Sequence, residues 1–428
     1  MISPKKPDLL IKGGQVVTLR GKKVPVVGSD LEDLGVIPDG CVLCDSTGRI
    51  MAVGSYSDMS SQFSLSKVTT LEVQNRVLLP GFVDSHAHPV FSGSRTEEFQ
   101  MRAKGATYME IHEKGGGILH TVRETREAAG ETLRELARAR IQAMFRHGST
   151  TVEAKSGYGL TTESEEKCLD VLRDLSEELP VEIVPTFMGA HAIPPEYESS
   201  PEEFVDLVVS EMIPQVAVKA EFCDVFCEKG AFTPEQSRRI LEAGKRYGLS
   251  PRIHAEEFSD QGGAALAVEV GALSADHLLE IGDSGIVSLA QSGTVATLLP
   301  GTPFFLGMDR YAPAMKLLER GVPVALATDF NAGSCLGLSM QMVISLACLR
   351  MKMPVEAALI GATLNGAYTL ARSDRLGSIE VGKQADIIIL DVLDYREMPY
   401  VFGCNLVKSV IKNGKIMDFD HDRRFAHV

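Results

Sequence analysis

Residues 78–95, LLPGFVDSHAHPVFSGSR, constrain this chain more than any other stretch. An apolar run, Val77-Leu78-Leu79, passes through Pro80-Gly81 into Phe82-Val83-Asp84-Ser85, and two histidines follow, His86 and His88, one residue apart. On an extended strand, alternate residues share a face. Both imidazoles then point the same way, at the end of a strand and beside a loop. Two neutral imidazoles converging there are half of a metal site. A bare H-x-H is as readily a pair of surface histidines, so partners elsewhere in the chain have to decide.

The chain has 428 residues, room for one large domain and a small one, and its 44% hydrophobic and 23% charged content is ordinary for a globular protein. No stretch of about 20 apolar residues is present, so no membrane span is expected. The opening MISPKKPDLLIKGGQVV has too short an apolar run for a secretory signal, and a cytoplasmic location is expected. Acidic residues outnumber basic ones, 57 to 43, for a net charge of -14. That balance argues against a nucleic-acid footprint and means that an anionic substrate needs a local cation. The eight cysteines are scattered, which points to reduced thiols; Cys41 and Cys44 form a C-x-x-C with no second pair and read as strand or turn residues.

Both ends of the chain read as β-structure. Leu9-Leu10-Ile11 and Gln15-Val16-Val17-Thr18 flank Gly13-Gly14, a hairpin signal, and Asn413-Gly414 gives a two-residue turn between Val407–Ile411 and Lys415-Ile416-Met417. Residues 1–77 and 373–428 are therefore expected to build one small β domain, a composite β-sandwich, with 78–372 inserted between them. Inside that insertion eight short apolar runs alternate with helical patterns: Phe82-Val83, Thr150–Glu153, Ile183–Phe187, Phe222–Val225, Arg252–His254, Ala275–His277, Thr294–Leu298 and Val324–Ala327. Apolar residues at helical spacing mark Thr132–His147 and Glu235–Tyr247, each closed by a glycine. Eight strands with helical crossovers predict an α/β fold of the (β/α)8 TIM-barrel type. An open doubly wound sheet usually carries a Gly-rich phosphate loop after its first strand; here that strand ends in H-A-H. The connection from Arg95 to about Glu124, with Tyr108, Gly115-Gly116-Gly117 and His120, is long for a compact domain and reads as a lid or ligand-approach loop.

Barrel enzymes place their chemistry at the C-terminal ends of the strands. The polar residues that close the runs are His86 and His88 on the first, Glu153 and Lys155 on the second, His191 on the third, His254 with Glu256 and Glu257 on the fifth, His277 on the sixth, and Asp329 with Asn331 on the eighth. His147 is set aside as a cation favoured at a helix C-terminus. Three imidazoles and one carboxylate suit a single divalent or trivalent cation, zinc or iron, and His86, His88, His254 and Asp329 are the expected ligands. Such an ion brings the pKa of a bound water to about 7. Asp329 would take that water's proton, and His277 would orient the nucleophile or polarise a carbonyl.

PGFVDSHAH, His254 in HAEEF, His277 in ADH and Asp329 in ATDFN together resemble the amidohydrolase superfamily, and GSIEVGKQADIIILD with the final NG turn resembles its terminal β-sandwich. HPVFSGSRTEEF, KSGYGL, MGAHAIP, HAEEF and ATDFNAGS narrow the resemblance, through nearly the whole chain, to the imidazolonepropionase family. That resemblance implies hydrolysis of a cyclic amide whose ring carries a propanoate, with N-formimino-L-glutamate as product. It implies a carboxylate-binding role for Arg95, which can form two parallel hydrogen bonds, and places Tyr158, His191, Glu257, Asn331, Gly333 and Ser334 around the substrate. It makes Glu257 a holder of a ring N–H or a proton shuttle, and a homodimer the expected assembly. No lysine closes the fourth run, apart from Lys229 beyond it, which argues against a carbamylated-lysine two-metal site. One departure stands out: the family commonly has proline after the Asn of DFN, and here the residue is Ala332, which leaves the rigidity of that loop open. The competing readings are a related deaminase or cyclic amidase, and a metal-free scaffold descended from such enzymes.

Overall fold

The computed structural model describes residues 6–105 and 116–417. Sixteen strands occur among the described residues: β1 (Pro7–Val17), β2 (Val36–Asp45), β3 (Ile50–Gly54), β4 (Thr69–Glu72), β5 (Val77–Pro80), β6 (Phe82–Asp84), β7 (Ser149–Lys155), β8 (Glu182–Ala190), β9 (Phe222–Cys227), β10 (Ser250–Ala255), β11 (Ser274–His277), β12 (Val295–Leu298), β13 (Val324–Leu326), β14 (Ile387–Leu390), β15 (Val407–Lys412) and β16 (Lys415–Met417). They form two sheets of eight.

The sheet β6 to β13 is parallel throughout, each strand pairing with the next in sequence, and its members coincide with the eight apolar runs. Closure between β13 and β6 occurs just beyond the strands, through a parallel bridge between Ala87 and Phe330. There the Asp329 N–H donates to the His86 carbonyl at 3.0 Å and the His88 N–H to the Phe330 carbonyl at 2.7 Å. The barrel is thus sealed at the H-A-H and T-D-F segments themselves. Crossover helices cover it: Gly130–Arg146 presents Leu133, Ala137, Ile141 and Met144 inward, and Pro234–Arg246 starts with a Thr233/Gln236 capping box. Gly148 and Gly248, with φ of +99° and +88°, let the chain leave these helices.

The other sheet draws on both termini, in the order β16-β15-β14-β5-β1-β2-β3, with β4 also on β1. It curls round one apolar cluster that brings Leu9 and Ile11 against Ile387, Ile389 and Ile411. The Gly13-Gly14 hairpin expected from sequence is instead an irregularity within one long strand: β1 runs through, with register shifts on either side of Gly14. Gly13 has φ +83°, and a Cβ on Gly14 would lie 2.7 Å from the Arg76 carbonyl, so the pair makes a bulge rather than a turn. The expected break at 77/78 also moves, because β5 stays in the terminal sheet, paired with β14, until Pro80.

The chain crosses to the barrel at Gly81, whose N–H donates to the Asp386 carbonyl at 2.9 Å. The first barrel connection is not one open loop: Thr96–Ala103 and Ile118–Glu127 are helices. Tyr108 and Gly115 lie outside the described residues.

Candidate metal centre and active site

The barrel order turns strand-end residues far apart in sequence into neighbours. His86 and His88 follow β6, His254 lies on β10, His277 ends β11, and Asp329 follows β13. Asp329 Oδ1 is 3.5 Å from His86 Nε2 and 3.7 Å from His88 Nε2, and His88 Nε2 is 3.4 Å from His254 Nε2. The His86 and His254 rings are 4.4 Å apart, and His277 packs 5.1 Å from His254. All five side chains are buried. His86, His88 and Asp329 make one group with metal-ligating spacing, and His86, His254 and His277 another.

Two carboxylates deeper in the barrel fix these rings. His86 Nδ1 donates to Asp276 at 2.7 Å, and His254 Nδ1 donates to Asp224 at 3.0 Å. Each histidine is thereby held as the tautomer whose Nε2 lone pair faces its neighbours. Each carboxylate has a buried cation behind it: Arg252 Nη2 lies 3.0 Å from Asp276, and Lys155 Nζ 2.7 Å from both Asp224 and Glu153. Burial alone pushes Asp224 up, yet His254, Lys155 and Arg252 hold it well below the usual carboxylate range. Burial, with the nearby Lys155 and imidazole charges, pushes His86 well down, so its ring is neutral.

The arrangement fits a cation. His86 Nε2 is buried with no hydrogen-bond partner among the described residues, although its Nδ1 is strongly held. Three imidazoles and a carboxylate are the donor set of a borderline divalent metal. Burial pushes the Asp329 carboxyl up to about 6, a cost that an adjacent positive charge removes. Its other oxygen, Oδ2, accepts the Thr302 hydroxyl.

His277, Glu256 and Asp329 have φ of +80°, +48° and +50°, a region non-glycine residues rarely occupy. The strained backbone turns these side chains at the strand ends. His277 has neither ring nitrogen paired among the described residues, and its Nε2 is 3.7 Å from Glu257. Burial and the nearby Asp329 and Glu228 charges push Glu257 well above the ordinary range, which favours its neutral form.

His191 stacks on His88 with ring centres 5.0 Å apart, and Tyr158 lies tilted against His191 with ring centres 5.2 Å apart. His191 Nδ1 donates to the Gly157 carbonyl at 3.0 Å, and burial takes its pKa down to about 3. Burial raises the Tyr158 hydroxyl, while the Arg95 charge and the Ala332 N–H both act on it in the opposite sense. The loop's rigidity comes from Asn331: its Oδ1 accepts the Gly333 and Ser334 N–H groups, both at 2.8 Å, and its Nδ2 donates to the Asp329 carbonyl at 2.7 Å and the Ser334 hydroxyl at 2.8 Å. With those bonds Asn331 braces the loop. Arg95 stands at the mouth, ion-paired to Glu98 at 2.7 Å.

His147 is not the helix-end cation expected from sequence. Its ring is half-buried with Nδ1 unpaired among the described residues, and burial lowers its pKa. All eight cysteines are free thiols. No described helix is long and apolar enough to cross a membrane.

Residues 77–417 match the amidohydrolase family. The chain is 48% identical to imidazolonepropionase of Geobacillus kaustophilus (strain HTA426) over 417 residues, 96% of this chain and 98% of the relative. It is 49% identical to imidazolonepropionase of Shouchella clausii (strain KSM-K16) over 408 residues, 94% of this chain and 91% of the relative. Among solved structures it resembles an adenosine deaminase from Xanthomonas campestris with bound zinc, with TM-score 0.73, 21% identity, and 96% and 93% of the two chains covered. It also resembles E. coli guanine deaminase, with TM-score 0.70, 17% identity, and 96% and 99% covered. At those identities the likeness is one of fold.

Proposed function

This chain belongs to the amidohydrolase family, among its imidazolonepropionases, and from that premise we propose that it hydrolyses the ring amide of 4-imidazolone-5-propanoate to N-formimino-L-glutamate, a step of histidine degradation. The observation that carries this reading is the pairing of a buried His/Asp cluster with an arginine at its mouth. The cluster suits amide hydrolysis, and the arginine suits the propanoate.

His86, His88, His254 and Asp329 would hold one cation, zinc or iron, since these donors serve both. When bound, it supplies Lewis-acid polarisation of the ring carbonyl and acidifies a water. Asp329 accepts the water's proton at its carboxylate, and its Thr302 hydrogen bond keeps that group aimed inward. His277, with both nitrogens free to engage a ligand, orients the ring carbonyl. Asp329 then passes that proton on toward the leaving ring nitrogen as the C–N bond breaks, and Glu257, whose neutral form burial favours, holds the ring nitrogen and shares in that proton transfer. Arg95 binds the substrate carboxylate. Tyr158 and His191 flank the ring, and the Asn331–Ser334 loop closes the remaining side, with the Ser334 hydroxyl proton available to the ligand.

The same reading places the protein in the cytosol as a homodimer with a small carboxylate substrate and no nucleic-acid or membrane partner. The net charge of -14 supports the absence of a nucleic-acid partner.

The deciding measurement is turnover by the purified protein, with its metal content assayed, of imidazolone propanoate against adenosine, guanine and cytosine. Ring opening of the imidazolone is expected. Turnover confined to an amino-substituted heterocycle would select the deaminase reading suggested by the fold neighbours. A protein with no metal and no activity after metal addition would select the scaffold.

A further inference from the structure

Helix Thr96–Ala103 puts three charged side chains on one face, at residues 95, 98 and 102. Arg95, at the helix N-cap, uses one edge of its guanidinium on Glu98: Nε and Nη2 both reach Oε2, at 2.9 and 2.7 Å. The other Glu98 oxygen, Oε1, accepts the Gly117 N–H at 2.9 Å. Glu98 is only 7% exposed. Arg95 Nη1 lies so close over Gly333 that a Cβ there would be 1.7 Å from it. On the next turn, Arg102 Nη2 donates to the Gly333 carbonyl at 3.2 Å, and its guanidinium lies 5.4 Å from the Phe305 ring centre.

We propose that Glu98 is a positioning residue for substrate binding: it grips Arg95 side-on and leaves the Nη1/Nη2 edge presented, in one orientation, to the substrate carboxylate. The inference rests on the reading of Arg95 as the carboxylate ligand. A guanidinium has five N–H donors in a fixed fork. Gripping one edge leaves a second edge with the geometry for a bidentate carboxylate. An unrestrained arginine side chain samples many rotamers, and ordering it on binding costs affinity. Glu98 removes that cost in the free enzyme. It also offsets the repulsion between Arg95 and Arg102, so that these three side chains together carry one net positive charge in a molecule that is otherwise strongly acidic. Hydrogen bonds from Arg95 and Gly117 overcome the effect of burial and hold Glu98 below the ordinary carboxylate range, so the grip is ionic at neutral pH.

The test compares parent, Arg95→Ala, Glu98→Ala, Glu98→Gln and the double alanine variant in steady-state turnover of imidazolone propanoate, with folding checked by circular dichroism and thermal melting. Glu98→Ala is expected to raise KM about 10-fold while kcat falls less than about 3-fold. Glu98→Gln, which keeps an oxygen for Arg95, should recover most of that KM. The double variant should be no worse than Arg95→Ala alone. If Arg95→Ala raises KM but Glu98→Ala does not, the positioning role is wrong and the reading of Arg95 stands. If Arg95→Ala leaves KM unchanged, the reading fails and the positioning role falls with it. A Glu98→Ala variant that loses kcat and melting temperature together, additively with Arg95→Ala, assigns Glu98 to structure and also overturns the proposal.

Discussion

Asp224 and Asp276 stand inside apolar runs, Phe222-Cys223-Asp224-Val225 and Ala275-Asp276-His277, where sequence offers no sign that they point into the barrel at a histidine. The histidines were legible because alternate side chains on a strand share a face and because imidazoles gather at strand ends. Their carboxylate partners were not, since only strand pairing brings Asp276 to 2.7 Å from His86. The sequence puts Lys155 at the end of the second run and Arg252 within the fifth, but only the fold shows what they do there: each is buried against a carboxylate, Lys155 on Asp224 and Arg252 on Asp276. Asp276→Asn should therefore weaken the metal hold by roughly 10- to 100-fold, measured by chelator competition on folded protein. Unchanged retention would mean that His86 needs no acceptor behind it. Gly333 is a case where the absence of a side chain is the signal. The motif resemblance pointed to Gly333, but only the structure shows that a methyl group there would occupy the Arg95 guanidinium position. Gly333→Ala should raise KM for the carboxylate substrate by about 10-fold or more, with less effect on kcat, because displacing Arg95 removes binding rather than chemistry. A KM equal to the parent's would show that Arg95 has another place to go.

At the scale of elements, long periodic helices such as Gly130–Arg146 and Pro234–Arg246 were readable from apolar spacing and terminal glycines. Thr96–Ala103 was not, because TEEFQMRA buries little besides Glu98, and its helix is set by charged contacts with the neighbouring loop. The end of Gly130–Arg146 shows how a correct boundary can carry a wrong charge. A cation at a helix C-terminus is favourable in water, but His147 is half-buried, with its carbonyl accepting from the Gln341 side chain at 3.1 Å. Desolvation lowers its pKa. The sign follows from linkage: a base whose folded pKa is depressed contributes stability above its unfolded pKa, about 6.5, and that contribution is lost as pH falls toward the folded value. Chemical denaturation at pH 7 and pH 5 should show a smaller acid-induced loss in His147→Asn than in the parent. Equal losses would mean that His147 remains neutral or exposed across that range.

At the scale of the whole molecule, the two sheets are tied where the chain crosses between them. Lys412, from β15 of the terminal sheet, is buried and reaches Asp386 at 2.6 Å and the carbonyl of Thr150, at the start of barrel strand β7, at 3.0 Å. Gly81 adds its N–H to the Asp386 carbonyl. Removing the lysine leaves a buried carboxylate without its cation, a loss of about 3–5 kcal/mol for a pair of this kind, so Lys412→Met should be strongly destabilised in urea. The same tie predicts how the molecule answers metal removal. The proposed ligands His86, His88, His254 and Asp329 belong to the barrel alone, on β10 or just after β6 and β13. A cation bound at a thousand times its dissociation constant adds about 4 kcal/mol to the folded state. Were the sheets independent, stripping the ion would lower one calorimetric transition and leave the other in place. Because Lys412 and Gly81 couple them, the expected result is a single transition that moves down by a few degrees on chelation and returns with added metal. Two separated transitions in the stripped protein would show that the terminal sheet keeps its fold without the barrel, and that the contacts across the crossing are too weak to unite them.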